Sequence, residues 1–172
     1  MKLLEVKNLK KVYTTRFGSQ KCQALNGINF TVEEGEFVAI MGESGSGKTT
    51  LLNMIAGIDS PSAGEIVLNG QNYDHLNEKD ITVFRRNHMG FVFQDFSLLD
   101  NFNIRDNVLL PLVLSGKSVK EMNERLHPLV QKLGIESLLL KQPYEISGGQ
   151  KQRVAVARAL INNPDLILAD VN

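Results

Sequence analysis

Short apolar runs broken by turn residues fill the first half of the chain. Leu3-Leu4-Glu5-Val6 and Ile28 to Val32 read as strands, and Glu33-Glu34-Gly35 as the turn that follows. Phe37-Val38-Ala39-Ile40 is apolar throughout, the pattern of a strand buried on both faces of a parallel sheet. A Gly/Ser-rich loop leads into Thr49 to Ala56, a short helix closed by Gly57 at its C-cap. Asp59 to Gly64 is a turn cluster, Glu65 to Leu68 a strand entering a tight turn at Asn69-Gly70, and Met89 to Phe93 a further strand ending at Gln94.

The period then changes. Between about Ile104 and Leu140, Val119, Met122, Leu126, Leu129, Val130 and Leu133 recur at helical spacing, which predicts a helical insertion packed along one face. Gly134 ends its helix, and Gln142-Pro143 marks the exit. Ser147 opens another helix, which runs to about Ile161 and stops at Asn162-Asn163-Pro164. Leu166-Ile167-Leu168-Ala169 is a last buried strand, delivering Asp170 at its C-terminal end.

Composition narrows the class. At 172 residues, 42% hydrophobic and 22% charged, the chain suits one packed core rather than a disordered segment. Lys plus Arg and Asp plus Glu are 19 each, so no general attraction to nucleic acid or to an anionic membrane surface is expected. Cys22 is the only cysteine and has no disulfide partner in the chain. The longest apolar run, Val108 to Leu114, is far short of the roughly 20 residues a spanning helix needs. The lysines at 2, 7, 10 and 11 interrupt any signal-peptide core. The expectation is a cytoplasmic chain, with no direct membrane insertion and any membrane connection made through a partner. His75, His88 and His127 share no ligand spacing and are expected to form no metal cluster.

The chemistry sits in three places. Gly42-Glu43-Ser44-Gly45-Ser46-Gly47-Lys48-Thr49 matches G-x-x-x-x-G-K-[ST], between an apolar run and a helix. Backbone N–H groups and a helix N-terminus there can surround a polyphosphate, with Lys48 as a point charge at the β/γ position and the Thr49 hydroxyl on Mg2+. Gly42, Ser44, Gly45, Ser46, Gly47, Lys48, Thr49 and the adjoining Thr50 are the candidate phosphate-binding set. The second place is Asp170, at the edge where ligands bind in open α/β sheets, in reach of the same metal. Those two features alone also fit a small nucleotide kinase.

The third place decides between them. Ile146-Ser147-Gly148-Gly149-Gln150-Lys151-Gln152-Arg153 resembles the signature motif of ABC ATPases and the helix it opens. Ser147 is a good N-cap, and Gly148-Gly149 leave N–H groups open at a helix N-terminus, a second anion-binding surface. The resemblance implies that Ser147, Gly148, Gly149 and Gln150 face the γ-phosphate held by an opposite subunit, in a homodimer or a pair of ATP-binding subunits. It also implies that Gln94 is the glutamine joining the Mg2+ and water site to the helical subdomain, and that Tyr13 stacks on adenine. Lys48, Gln94 and Asp170 are then the catalytic set, Thr49, Gln94 and Asp170 the Mg2+ set, and ATP the nucleotide.

The fold implied is α/β, a P-loop NTPase parallel core sheet with an N-terminal antiparallel β subdomain and a helical insertion, incomplete at the C-terminus. Residues 1–172 would form one such domain, with residues 95–145 as its approximate helical subdomain. Phe93 to Leu99 and Asp106-Asn107-Val108 to Leu112 look most like the exporters of lipoproteins, macrolides and antimicrobial peptides, bacitracin-type pumps in particular. The expected function is an ATP-binding subunit at the inner face of the membrane, coupling ATP binding and hydrolysis to export through a transmembrane permease subunit, with no nucleic-acid partner. In the family a glutamate follows the aspartate of the last strand, where this chain has Val171 and Asn172. An apolar Val171 cannot orient water, so the alternative is an ATP-binding module without hydrolysis. The family's sheet also places its next strand between the phosphate-loop strand and the Asp170 strand, so marginal stability is expected without it.

Overall fold

Two strands of the first unit flank a central one, both antiparallel to it, in the computed structural model, which describes residues 1–14 and 21–170. This unit spans Met1–Phe84. β1 (Lys2–Thr14) pairs on one side with β2 (Lys21–Glu33) and on the other with β3 (Ala63–Leu68), which turns into the short β4 (Gln71–Asn72). Asn69 and Gly70 make that turn with φ of 50° and 76°, the left-handed pair that a two-residue hairpin requires.

The register of β1 with β2 shifts at several points, and the shift at Asn8 has consequences further along. Leu4 and Val6 point inward, so a strict period of two would bury Asn8. Instead Asn8 takes φ 45°, the register with β2 shifts between Val6 and Leu9, and Leu9 becomes fully buried. Asparagine tolerates that conformation better than most residues, and the bulge lets apolar Leu9 replace it in the interior. Leu25, Val32, Ile66 and Leu68 complete the strands' buried set. α1 (Lys48–Ile55) buries Leu51, Met54 and Ile55. Tyr73, stacked on Phe84 at 4.9 Å, donates its hydroxyl to the Ile55 carbonyl at the end of α1.

The expected strand Phe37–Ile40 is not formed. Residues 36–43 adopt no regular ladder, and Phe37 is 94% exposed and Met41 89% exposed. Apolar composition makes a buried strand only when neighbours supply ladder partners and cover both faces. Neither of the two sheets among the described residues includes this segment.

The second unit begins at Arg85. Leading into it is α2 (Glu78–His88), a helix the apolar pattern did not reveal. Its signals are polar: Asn77 accepts the Asp80 N–H at 3.0 Å, acids occupy the first turn, and Arg85, Arg86 and His88 the last. β5 (Met89–Val92) then lies parallel to β6 (Leu166–Ala169), from Met89 opposite Leu166 to Val92 opposite Ala169. The helical stretch resolves into α3 (Ile104–Leu114) and α4 (Val119–Leu133), followed by single turns at Glu136–Leu138 and Pro143–Glu145 and then α5 (Gly148–Leu160). Ile104, Val108 and Leu112 of α3, Leu126 and Val130 of α4 and Val154 and Ala157 of α5 share one buried cluster. Asn103, Ser118 and Ser147 cap the three helices with their side chains, and Gly134 ends α4 in the left-handed conformation.

Candidate functional site

Gly47 explains the shape of the loop Gly42–Thr49. It is the N-cap of α1 at φ 93°, and a Cβ there would lie 2.6 Å from the Ala24 carbonyl oxygen of β2, so only glycine lets the loop rest on that strand. It also offers no capping side chain, unlike the residues that open α3, α4 and α5. The first N–H groups of a helix have no acceptor within it, so α1 presents its positive end uncapped by any side chain. Lys48 folds back over the loop, its Nζ donating to the carbonyls of Gly42 and Glu43, both at 2.8 Å. The Ser46 N–H reaches the Glu43 carbonyl at 3.2 Å, closing the turn that carries Ser44 and Gly45, and Thr49 and Thr50 follow in the first turn of α1.

In the second unit, Gln94 and Asp170 leave the same edge of one ladder. Gln94 lies two residues beyond the end of β5, and Asp170 follows β6 at once, its N–H donating to the Val92 carbonyl at 3.0 Å. Parallel pairing of β5 with β6 is what brings two residues so distant in sequence to one end. The turn after Gln94 holds two non-glycine residues in the left-handed region, Phe96 at φ 63° and Ser97 at φ 43°. It is tied from two sides: Arg158 of α5 donates to the Ser97 and Phe96 carbonyls at 2.6 and 2.7 Å, and the fully buried Asn107 of α3 binds the backbone from Leu99 to Asn103. Burial lowers the affinity of the Arg158 guanidinium for its proton, with Asp95 acting in the opposite direction.

Ser147 forms the expected N-terminus of α5 as a capping box: its N–H is accepted by Gln150 Oε1 at 2.9 Å, and its hydroxyl accepts the Gln150 N–H at 3.4 Å. Gly148 and Gly149 have no heavy atom within 4 Å of where a Cβ would stand, so nothing inside the chain requires glycine there. Tyr13 sits at the end of β1, half exposed, its hydroxyl donating to Asp59 at 3.0 Å.

Tyr13 and residues 42–50 belong to the first unit, and Gln94, Asp170 and residues 147–150 to the second, where Gln94 and Asp170 share one ladder edge. Val171 lies outside the described residues. The tertiary contacts of Arg158, Asn107 and Asp59 are not predicted by the motifs. The one available signal was a polar residue on an apolar stripe: Asn107 between Ile104 and Val108, Arg158 between Val154 and Ile161. Among the described residues no helix is long and apolar enough to cross a membrane.

A glycine-rich loop running into an uncapped helix in the first unit, and a carboxylate at the end of a parallel strand in the second, are features of the P-loop class. Within that class the chain belongs to the ABC transporter family, whose model matches residues 25–171. It is 53% identical over 168 residues to the ABC transporter ATP-binding protein YxdL of Bacillus subtilis, covering 98% of this chain and 64% of that protein. It is 46% identical over 170 residues to the bacitracin export ATP-binding protein BceA of Halalkalibacterium halodurans, covering 99% and 66%. The chain therefore spans a little under two thirds of the length of both. Among solved structures it is similar to the ATP-binding cassette MJ0796, in a dimeric post-hydrolysis state bound to ADP and Pi, with a TM-score of 0.88 and 40% identity over 98% of this chain and 73% of that one.

Proposed function

We propose that the chain is the ATP-binding part of an ABC export system, and that residues 42–50 hold the phosphates of ATP. The observation that carries this reading is the uncapped N-terminus of α1, framed by Gly47 against Ala24 and by Lys48, whose two carbonyl contacts are the kind a phosphate can replace. Tyr13 would receive the adenine. The Thr49 hydroxyl in the first unit and, in the second, the oxygens of Gln94 and Asp170 at one ladder edge are each donors of the hard kind that Mg2+ takes. When bound, the ion neutralises charge on the terminal phosphates; the chain's residues orient and enclose the nucleotide.

The N-terminus of α5, where Ser147 caps the Gln150 N–H and Gly148 and Gly149 carry no side chains, supports a second anion contact, made to a nucleotide held by an opposite copy or a paired ATP-binding subunit. MJ0796, dimeric with ADP and Pi, offers a relative for that arrangement. Leu99 and Phe102, apolar and half exposed in the loop after Gln94, support contact with a transmembrane permease subunit at the inner face of the membrane. BceA, named for bacitracin export, supports an exported compound of the antimicrobial-peptide kind.

Titration of Mg-ATP by calorimetry tests the reading. The chain should bind, and Lys48→Ala should weaken binding at least about tenfold by removing a charge-assisted contact. Equal affinity in both would overturn the assignment of the loop. Phosphate release followed on the same sample separates hydrolysis, lost in Lys48→Ala, from binding alone, the outcome expected from Val171.

A further inference from the structure

One carboxylate holds both the hydroxyl of Tyr13 and the cation beside its ring. Past the bulge at Asn8, Lys11 and Tyr13 stand two residues apart on β1 and both meet Asp59. Lys11 Nζ donates to Asp59 Oδ1 at 2.7 Å and to the Ser60 carbonyl at 2.7 Å, while the Tyr13 hydroxyl donates to Asp59 Oδ2 at 3.0 Å. The same Nζ lies 4.9 Å from the centroid of the Tyr13 ring. Lys11 is 12% exposed at its side chain, so this is no loose surface pair. Tyr13 itself remains 42% exposed.

Asp59 is itself attached to α1. The N–H groups of Ile58 and Asp59 donate to the Asn53 carbonyl in its last turn, at 3.0 and 3.3 Å. The helix that opens at the phosphate loop therefore also anchors, at its other end, the carboxylate that fixes Tyr13. An ordinary strand-end ion pair would need neither the phenol nor an aromatic face left open to solvent.

We propose that Lys11 and Asp59 are positioning residues for nucleotide binding: they fix the Tyr13 ring as the platform on which the adenine stacks, with the ammonium on one side of the ring and the base on the other. The proposal rests on the reading of Tyr13 as the adenine partner. A cation drawn to one face reduces electron density on the opposite face, which favours stacking on an electron-rich purine, and a ring held by its hydroxyl has no freedom to lose when the base arrives.

Two ligands separate the possibilities: Mg-ATP, and Mg-tripolyphosphate, which carries the phosphates and no base. Both are titrated by calorimetry against the chain and against Tyr13→Ala, Tyr13→Phe, Lys11→Met and Lys11→Met/Tyr13→Ala. Tyr13→Ala should weaken Mg-ATP roughly fivefold to a hundredfold, the range for loss of a base-stacking aromatic. Tyr13→Phe and Lys11→Met should each weaken it about threefold, and tripolyphosphate affinity should stay unchanged throughout. The double variant should bind ATP no worse than Tyr13→Ala, because without the ring the ammonium has nothing to position. Equal losses for both ligands would make Lys11 merely structural and overturn the proposal. A loss in Tyr13→Ala with none in Lys11→Met or Tyr13→Phe would overturn the positioning role and leave the adenine platform standing. No loss in Tyr13→Ala would overturn both. Should Lys11→Met fail to fold, Tyr13→Phe, which removes a single oxygen, decides alone.

Discussion

Arg158 reaches from the last turn of α5 to the carbonyl of Ser97, 2.6 Å from its Nη1, while its Nη2 holds the neighbouring Phe96 carbonyl at 2.7 Å. The helix that begins at the signature residues thus grips the turn that follows Gln94. Left-handed conformations at Phe96 and Ser97 cost roughly 1–2 kcal/mol each, so this turn persists only because something outside it holds it. A planar guanidinium can serve two carbonyls at once and an ammonium cannot do so with the same geometry. Arg158→Ala should lower the unfolding free energy by about 1.5–3 kcal/mol, and Arg158→Lys should recover less than half of that. Urea melts of the three proteins check the order, and a full recovery by lysine would show that charge alone is needed.

Asn107 secures the same loop from α3. Its Oδ1 accepts the Leu99 N–H at 2.8 Å, and its Nδ2 donates to the carbonyls of Leu99, Phe102 and Asn103, all at 3.0 Å. It is fully buried, so each lost bond leaves a backbone group without water to replace it. Asn107→Ala should cost about 2–4 kcal/mol at every pH, by unpaired groups and a small cavity. Asn107→Asp sets a carboxylate against three carbonyl oxygens, which raises its proton affinity in the fold. Its stability should be lowest at neutral pH and recover on acidification, since the protonated acid can donate one bond. Denaturation at several pH values distinguishes the two, and parallel pH profiles would disprove this account.

How far these relationships were legible in the chain depends on their kind. The loop from Gly42 to Thr49, the Ser147-to-Gln150 box and the Asp170 strand end are local: cap chemistry and a short apolar run specify each without a distant partner. The strand expected at Phe37–Ile40 failed for the opposite reason, because burial on two faces is conferred by neighbours and an apolar run does not carry them. α2 was missed because its stripe is thin, with only Phe84 buried, and its polar caps went unread. Asn8 broke an alternation that period-two reasoning would have extended through Lys7 and Asn8. The partners Arg158, Asn107, Lys11 and Asp59 are long-range choices of geometry, which spacing does not encode.

Asp74 offers a test on the first unit. Its Oδ2 accepts the Ile66 N–H at 2.7 Å, beside a strand of the buried sheet. Burial raises its proton affinity, and Glu65 adds to this, against the Ile66 bond and His75, which lower it; burial prevails. A carboxyl whose folded pKa lies above its unfolded value binds protons preferentially in the folded state. Its contribution is therefore fully present below the ordinary carboxylate pKa and is lost as pH rises through the raised one. Asp74→Asn keeps an acceptor for Ile66 and removes the charge. It should be more stable than the parent at about pH 7, by less than about 1 kcal/mol because water still reaches one side, and no more stable at about pH 3. Urea midpoints at the two pH values measure this, and an advantage that grew on acidification would reverse the sign and refute it.

Gly47 and Gly149 look alike in sequence and should behave in opposite ways. Gly47 needs its missing side chain for the fold: at φ 93°, with a Cβ 2.6 Å from the Ala24 carbonyl oxygen, Gly47→Ala must displace backbone and should cost more than about 1 kcal/mol along with Mg-ATP binding. Gly149 has no such reason, since a Cβ there meets nothing within 4 Å and lies in the first turn of α5. By helix propensity alone, Gly149→Ala should be neutral or stabilising by up to about 1 kcal/mol. A residue kept bare at a helix N-terminus, at some expense of stability, suits a surface that a second body must approach closely. Gly149→Ala should therefore keep its melting temperature and its affinity for Mg-ATP yet weaken nucleotide-dependent self-association. Sedimentation of the chain with Mg-ATP reads that outcome directly. Unchanged self-association in a folded, ATP-binding Gly149→Ala would mean that the N-terminus of α5 does not face a second nucleotide.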